Sequence, residues 1–216
     1  MRLGRPEYFH GDLELRLLSI NRAIAQYQFS SKQLKIDFED KLDQHPQLYI
    51  KGFGNEINLL SSFRDLLFNS RELLDFLLIK IHDKTNSKNI QTTKSFLPFA
   101  KHLIKNDYDL LGLPIINFLK INITYIFHIR KIRNEIKNHP SNIIFRFVTD
   151  HFEAYFNIPV NKEECELIPF LDINHKKEAL VNMSYQGIYN LDIFFPEMLE
   201  FWNTSFSILE KDSTNS

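Results

Sequence analysis

Two stretches of this chain repeat their apolar residues at helical spacing for longer than a strand usually runs. In the first, Ile57, Leu60, Leu67, Leu74, Leu77, Leu78 and Ile81 lie on one broad face. In the second, Ile115, Leu119, Asn122 and Ile126 form one stripe, and Ile129, Ile132 and Ile136 a neighbouring one. Residues three, four and seven apart share a face at 3.6 residues per turn, whereas strands usually stop by about ten residues. The spacing predicts two long antiparallel core helices, over residues 55–82 and 114–138. Asn55, after Gly54, is a candidate N-cap for the first, and Pro114 opens the second. Pro140 stops the second, because a proline disfavours helical geometry at the preceding residue, His139.

The remaining segments are shorter. Before residue 50, Leu17, Ile20, Ile24 and Tyr27, then Leu34, Phe38 and Leu42, keep helical spacing, although "QLKIDFE" also alternates like a strand. "DKTNSKNIQTTK" is polar and reads as a loop, and "SFLPFAKHLIKND" as a short helix with Ser95 as its cap. After Pro140, "NIIFRFVTD" and "ECELIPFLDIN" are strand-like, "KKEALVNMSYQ" could pair with them, and Ile188 to Leu209 is helical. The expected division is a helical extension (1–50), a helical core (51–140), an appendage packed on it (141–210) and a disordered tail (211–216).

Composition limits the function classes. A formal net charge of -1 and a pI near 6.7 leave no basic coat, so nucleic-acid binding must rest on a local patch. The one cysteine, Cys165, cannot form an internal disulfide, which favours a reducing, cytoplasmic setting. No secretory leader is visible, and the greasiest stretch, Leu111 to Ile129, is interrupted by Asn117, Lys120 and Asn122, so no membrane span is expected. His10, His45, His82, His102, His128, His151 and His175 show no metal-ligand spacing, and no cofactor is implied.

A local patch exists. "RKIRNEIKNHP" gathers Arg130, Lys131, Arg133, Lys137 and His139 against one acid, Glu135. On a helix, the stripe through Ile115, Leu119 and Ile126 continues to Arg130, Arg133 and Lys137, so an apolar face turns basic in its last two turns. Cations collect at helix C-termini for dipole reasons alone, which leaves a plain structural end as one reading. The other is a site for a phosphodiester backbone. Arg133 and His139 would point about 120° apart on a continuous helix. Bringing them together needs either the turn at Pro140 or a two-fold axis with a second subunit.

Arg133, Asn134 and His139, with five residues between the arginine and the histidine, resemble the Arg-x(4–6)-His motif of the HEPN superfamily (higher eukaryotes and prokaryotes nucleotide-binding). The polar Asn134 after the arginine is typical there. "SRELLDFLLIKI" is similar to that family's first long core helix and "IFHIRKIRNEIKNHP" to its motif helix, so the likeness covers about residues 55–140. The resemblance implies a mainly α protein: a HEPN-like antiparallel helical bundle, here with a small C-terminal α+β appendage. It also implies a homodimer through the motif helix and metal-independent endoribonuclease activity, as in toxin–antitoxin or phage-defence effectors. Some members are instead inactive modules that bind a nucleotide or a partner protein. On the active reading, RNA is cut by its own 2'-OH. His139 carries the proton, Arg133 stabilises the transition state and Asn134 orients the phosphate or His139. Arg130, Lys131 and Lys137 hold the flanking RNA phosphates, and an antitoxin or regulatory protein is a further expected partner.

Overall fold

A computed structural model describes residues 6–42, 47–50, 56–85, 96–105, 113–138, 143–160 and 184–214. The described chain is mostly helical, with one small antiparallel sheet. In order it runs α1 (Pro6–Leu42), β1 (Gln47–Tyr49), α2 (Glu56–Thr85), α3 (Phe96–Ile104), α4 (Pro114–Ile121) and α5 (Ile123–Asn138). Then come β2 (Ile143–Val148), β3 (His151–Pro159), β4 (Ser184–Asn190) and α6 (Leu191–Thr214).

α1 settles the ambiguity of "QLKIDFE". Leu34 and Phe38 are buried while Ile36 between them is 59% exposed, which an alternating strand would not allow. Its buried stripe of Ile20, Ala23, Ile24, Tyr27, Leu34 and Phe38 packs on α2, whose Leu59, Phe63, Leu66, Leu67, Leu74, Leu77 and Ile81 are all buried. The two helices run antiparallel: Arg16 pairs with Glu72 and donates to Asn69, while Gln26 donates to the Asn58 carbonyl at the other end.

The expected single helix from Pro114 is divided at Asn122. The Asn122 side-chain Nδ2 donates to the Phe118 carbonyl at 2.9 Å, and its backbone N–H also reaches that carbonyl at 3.1 Å. Asparagine competes in this way for carbonyls of the preceding turn and breaks regular helix. α5 resumes at once, with Ile126 N–H bonded to the Asn122 carbonyl at 3.0 Å.

The sheet has the order β1-β2-β3-β4, all pairs antiparallel. Phe152, Ala154, Phe156 and Ile158 of β3 alternate into the core, and Phe38 of α1 meets Phe147 and Phe152. β2 falls within the expected strand, whereas β3 and β1 were not expected. The β2–β3 loop is Thr149-Asp150, with Thr149 at φ 58, a region that favours glycine or asparagine. The loop lacks the Asn-Gly or Asp-Gly pair that usually announces a hairpin. Of "KKEALVNMSYQ", residues 184–186 lie in β4; "ECELIPFLDIN", the first part of "KKEALVNMSYQ", Asn55 and Ser95 lie outside the described residues.

α6 begins at Leu191 and runs to Thr214, into the stretch expected as a tail. It closes the core from the other side. Tyr27 Oη donates to Asp192 Oδ1 and Lys35 Nζ to Asp192 Oδ2, both at 2.6 Å, and the Tyr27 ring stacks on Phe195 at 4.0 Å. Burial first, then the bond to Asp192 and its charge, keeps the Tyr27 phenol protonated. Trp202 Nε1 donates to Ser70 Oγ at 3.0 Å, fixing α6 to α2 inside the protein. Residues of α1, α2, α5, the sheet and α6 share one hydrophobic cluster. No described helix is long and apolar enough to cross a membrane.

Candidate functional site

The basic residues occupy the last turns of α5, as helical spacing requires. Ile129 and Ile132 are buried and hold the helix against its neighbours, so Arg130, Lys131, Arg133 and Asn134 emerge half-buried and Lys137 exposed. Glu135, the one acid of the segment, is only 6% exposed.

Arg133 is held from two sides. Its guanidinium carbon lies 5.0 Å from the centroid of the Phe68 ring on α2, and Nη1 donates to Asn134 Oδ1 at 3.2 Å. Nε is buried and has no hydrogen-bond partner among the described residues. Nor does any described carboxylate form an ion pair with Arg133. Buried charge is ordinarily paired, because desolvation of an unpaired ion is costly. An aromatic face and one amide oxygen meet that cost only in part, so the remaining donors are suited to an anion.

Phe68 and Arg64 belong to this site, and neither was anticipated. The Arg64 guanidinium carbon lies 5.5 Å from the Phe68 centroid, so two cations share one ring. Their i, i+4 spacing on α2 was the available signal. Which face of α2 meets the motif helix is a tertiary fact that spacing does not give.

Lys131, expected to hold RNA phosphate, also contacts the sheet. Its Nζ donates to the Pro159 carbonyl at 2.8 Å and lies 5.8 Å from the Phe127 centroid, so it fastens α5 to the end of β3. His139 lies outside the described residues, as do Pro140 and Cys165. Asn134 turns its carbonyl oxygen to Arg133, which leaves its Nδ2 for other acceptors.

Among the described histidines, His128 Nδ1 is 2.7 Å from Tyr189 Oη, linking α5 to β4, and His151 bonds Asp150 and Glu153. No described group of three His, Cys, Asp or Glu residues is arranged to hold a metal ion. No protein-family model, curated protein or solved structure matches the chain.

Proposed function

We propose that the chain is a metal-independent endoribonuclease of the HEPN type, a toxin or phage-defence effector working as a homodimer through its motif helices. The observation that supports this best is Arg133: half-buried, held by Phe68 and Asn134, and without a carboxylate among the described residues. A guanidinium held this way is prepared for phosphate, whose oxygens match its planar fork.

In the proposed reaction the 2'-oxygen forms a bond to the adjacent phosphorus as the P–O5' bond breaks. The 2'-OH proton leaves to a base and the departing 5'-oxygen receives one. His139 carries protons, since an ordinary imidazole titrates near neutrality. Arg133 stabilises charge accumulating on the phosphoryl oxygens. Asn134 holds Arg133 through its oxygen and offers Nδ2 to the phosphate. Arg130, Lys131 and Lys137 hold flanking phosphates, with Arg64 as an added contact.

The test is cleavage of a structured RNA by the purified full chain, with DNA of the same sequence as control. RNA should yield 2',3'-cyclic phosphate and 5'-OH ends in EDTA, and DNA should survive. Arg133→Ala should lower the rate at least about a hundredfold, as loss of an oxyanion donor does. His139→Ala should abolish cleavage while RNA binding persists. Full activity in His139→Ala, or activity lost with EDTA and restored by magnesium, refutes the mechanism. RNA binding without cleavage would favour the inactive module. Light scattering should report a dimer at micromolar concentration.

A further inference from the structure

α1 is apolar on two opposite sides, and only one of them is covered. Ile20, Tyr27, Leu34 and Phe38 are buried inside the protein. Leu15, Leu18, Phe29 and Ile36 are each more than half exposed. At 100° per residue, Leu18 and Ile36 lie about 180°, and Phe29 about 200°, from Tyr27, so the exposed residues gather on the outward side. Their positions are a and d sites of one heptad register, whose other members, Arg22, Ala25 and Lys32, are also exposed. Single exposed apolar residues are ordinary on a surface. A stripe that keeps heptad spacing along one helix has the form of a seam for another helix.

The occupant of such a seam is a long helix with a matching stripe, and the chain carries one: α1 itself, 37 residues and about 55 Å long. Charge sets the direction of pairing. Glu14 and Lys32 lie on the same edge of the stripe, because the eighteen residues between their positions make five whole turns. In a parallel pair, Lys32 would stand level with the partner's Lys32 and Glu14 with the partner's Glu14. In an antiparallel pair that sets Leu18 against the partner's Phe29, like edges face each other and Glu14 comes level with the partner's Lys32, twice by symmetry. Arg22 then faces the small Ala25, which leaves its stem room to run out to water. The four apolar side chains offer on the order of 100 Å2 apiece, so with the flanking stems two copies bury roughly 1,000 Å2, the size of a weak and reversible association.

We propose that α1 pairs antiparallel with α1 of a second copy along the stripe from Leu15 to Ile36, with Glu14 of each against Lys32 of the other. This face is not the motif helix. The pairing therefore joins dimers of the proposed nuclease in twos, and it exists whether or not RNA is cut.

Sedimentation velocity of the full chain tests this, over concentrations from about 5 to about 500 μM, the range in which a weak interface of this size assembles. The mass should double across that range. Leu18→Glu with Phe29→Glu should hold it at the lower value, with an unchanged melting curve as the check on folding, since both side chains are exposed. If the motif-helix dimer holds, the doubling runs from two chains to four; if that dimer fails, it runs from one to two, so the two readings fail separately. Glu14→Lys and Lys32→Glu should each weaken the association roughly threefold to tenfold, and their combination should restore it. On one helix these two residues are about 27 Å apart, so only pairing between copies gives that rescue. A mass that does not double, doubling that survives the Leu18 and Phe29 changes, or a charge exchange that fails to restore association overturns the proposal. So does a constant mass combined with co-sedimentation on phosphatidylglycerol vesicles, which would assign the stripe to lipid.

Discussion

The guanidinium of Arg133 rests over the ring of Phe68, carbon to centroid 5.0 Å, so a residue of α2 positions the cation on α5 that the proposed chemistry depends on. A cation–π contact contributes about 0.5 to 2 kcal/mol, more as water is excluded. Phe68→Leu should therefore slow RNA cleavage roughly threefold to thirtyfold, with the circular dichroism spectrum unchanged. An undiminished rate would mean that Asn134 alone holds the arginine.

The buried bond from Trp202 to Ser70 joins helices far apart in sequence. Ser70→Ala leaves the indole N–H without its acceptor at a site where Ser70 and Trp202 are fully buried. An orphaned buried donor costs about 1 to 3 kcal/mol. The urea midpoint should fall accordingly with the slope unchanged.

Gly187 in β4 faces crowded space. A Cβ there would meet Tyr189 Cε2 at 2.9 Å, and Ile158 Cδ1 and Phe156 Cε2 at 3.2 Å. Gly187→Ala should cost about 1 to 3 kcal/mol by overpacking. It should also displace Tyr189 from His128, which the His128 ring proton shifts in NMR would report.

Stability should depend on pH through the hairpin triad of Asp150, His151 and Glu153. Burial lowers the His151 value, but hydrogen bonds to Asp150 and Glu153, and their charges, outweigh it and raise it. Burial likewise raises Glu153, but bonds from His151 and Arg146 outweigh it and lower it. The histidine contribution is fully present below its unfolded value near 6.5 and is lost as pH rises through the raised folded value. The glutamate contribution is present above about 4.3 and is lost as pH falls through its depressed folded value. Both act together between roughly pH 4.3 and 6.5. His151→Gln should shrink the difference in urea midpoint between pH 5.5 and pH 8.

The long helices were legible because Leu67 to Ile81 and Ile115 to Ile132 repeat every three or four residues, a signal carried by neighbours in sequence, although Ile57, read onto the same face, is 54% exposed. The division at Asn122 was not, since it depends on one side chain choosing a backbone carbonyl. β3 alternates through Phe152, Ala154, Phe156 and Ile158 but passed unread, because Thr149 occupies a turn position that glycine would normally mark. At the site, the local cluster from Arg130 to Lys137 could be read directly. The ring beneath Arg133 and the Pro159 carbonyl that holds Lys131 could not, because both depend on which surfaces meet.

The three-residue strand β1 has a consequence for how the protein is made. Leu48 pairs with Phe147, on the order of a hundred residues later, and non-local pairing of this kind is slow to form. On the ribosome, α1 and α2 can associate as soon as both emerge, while β1 must wait with its edge unpaired until β2 is synthesised. The basic end of α5 waits longer, since Lys131 reaches its anchor only when Pro159 has appeared. Translation thus orders assembly from the α1–α2 pair outward, and a nascent chain stopped before Pro159 carries the cations of the proposed site without the strand that fastens them.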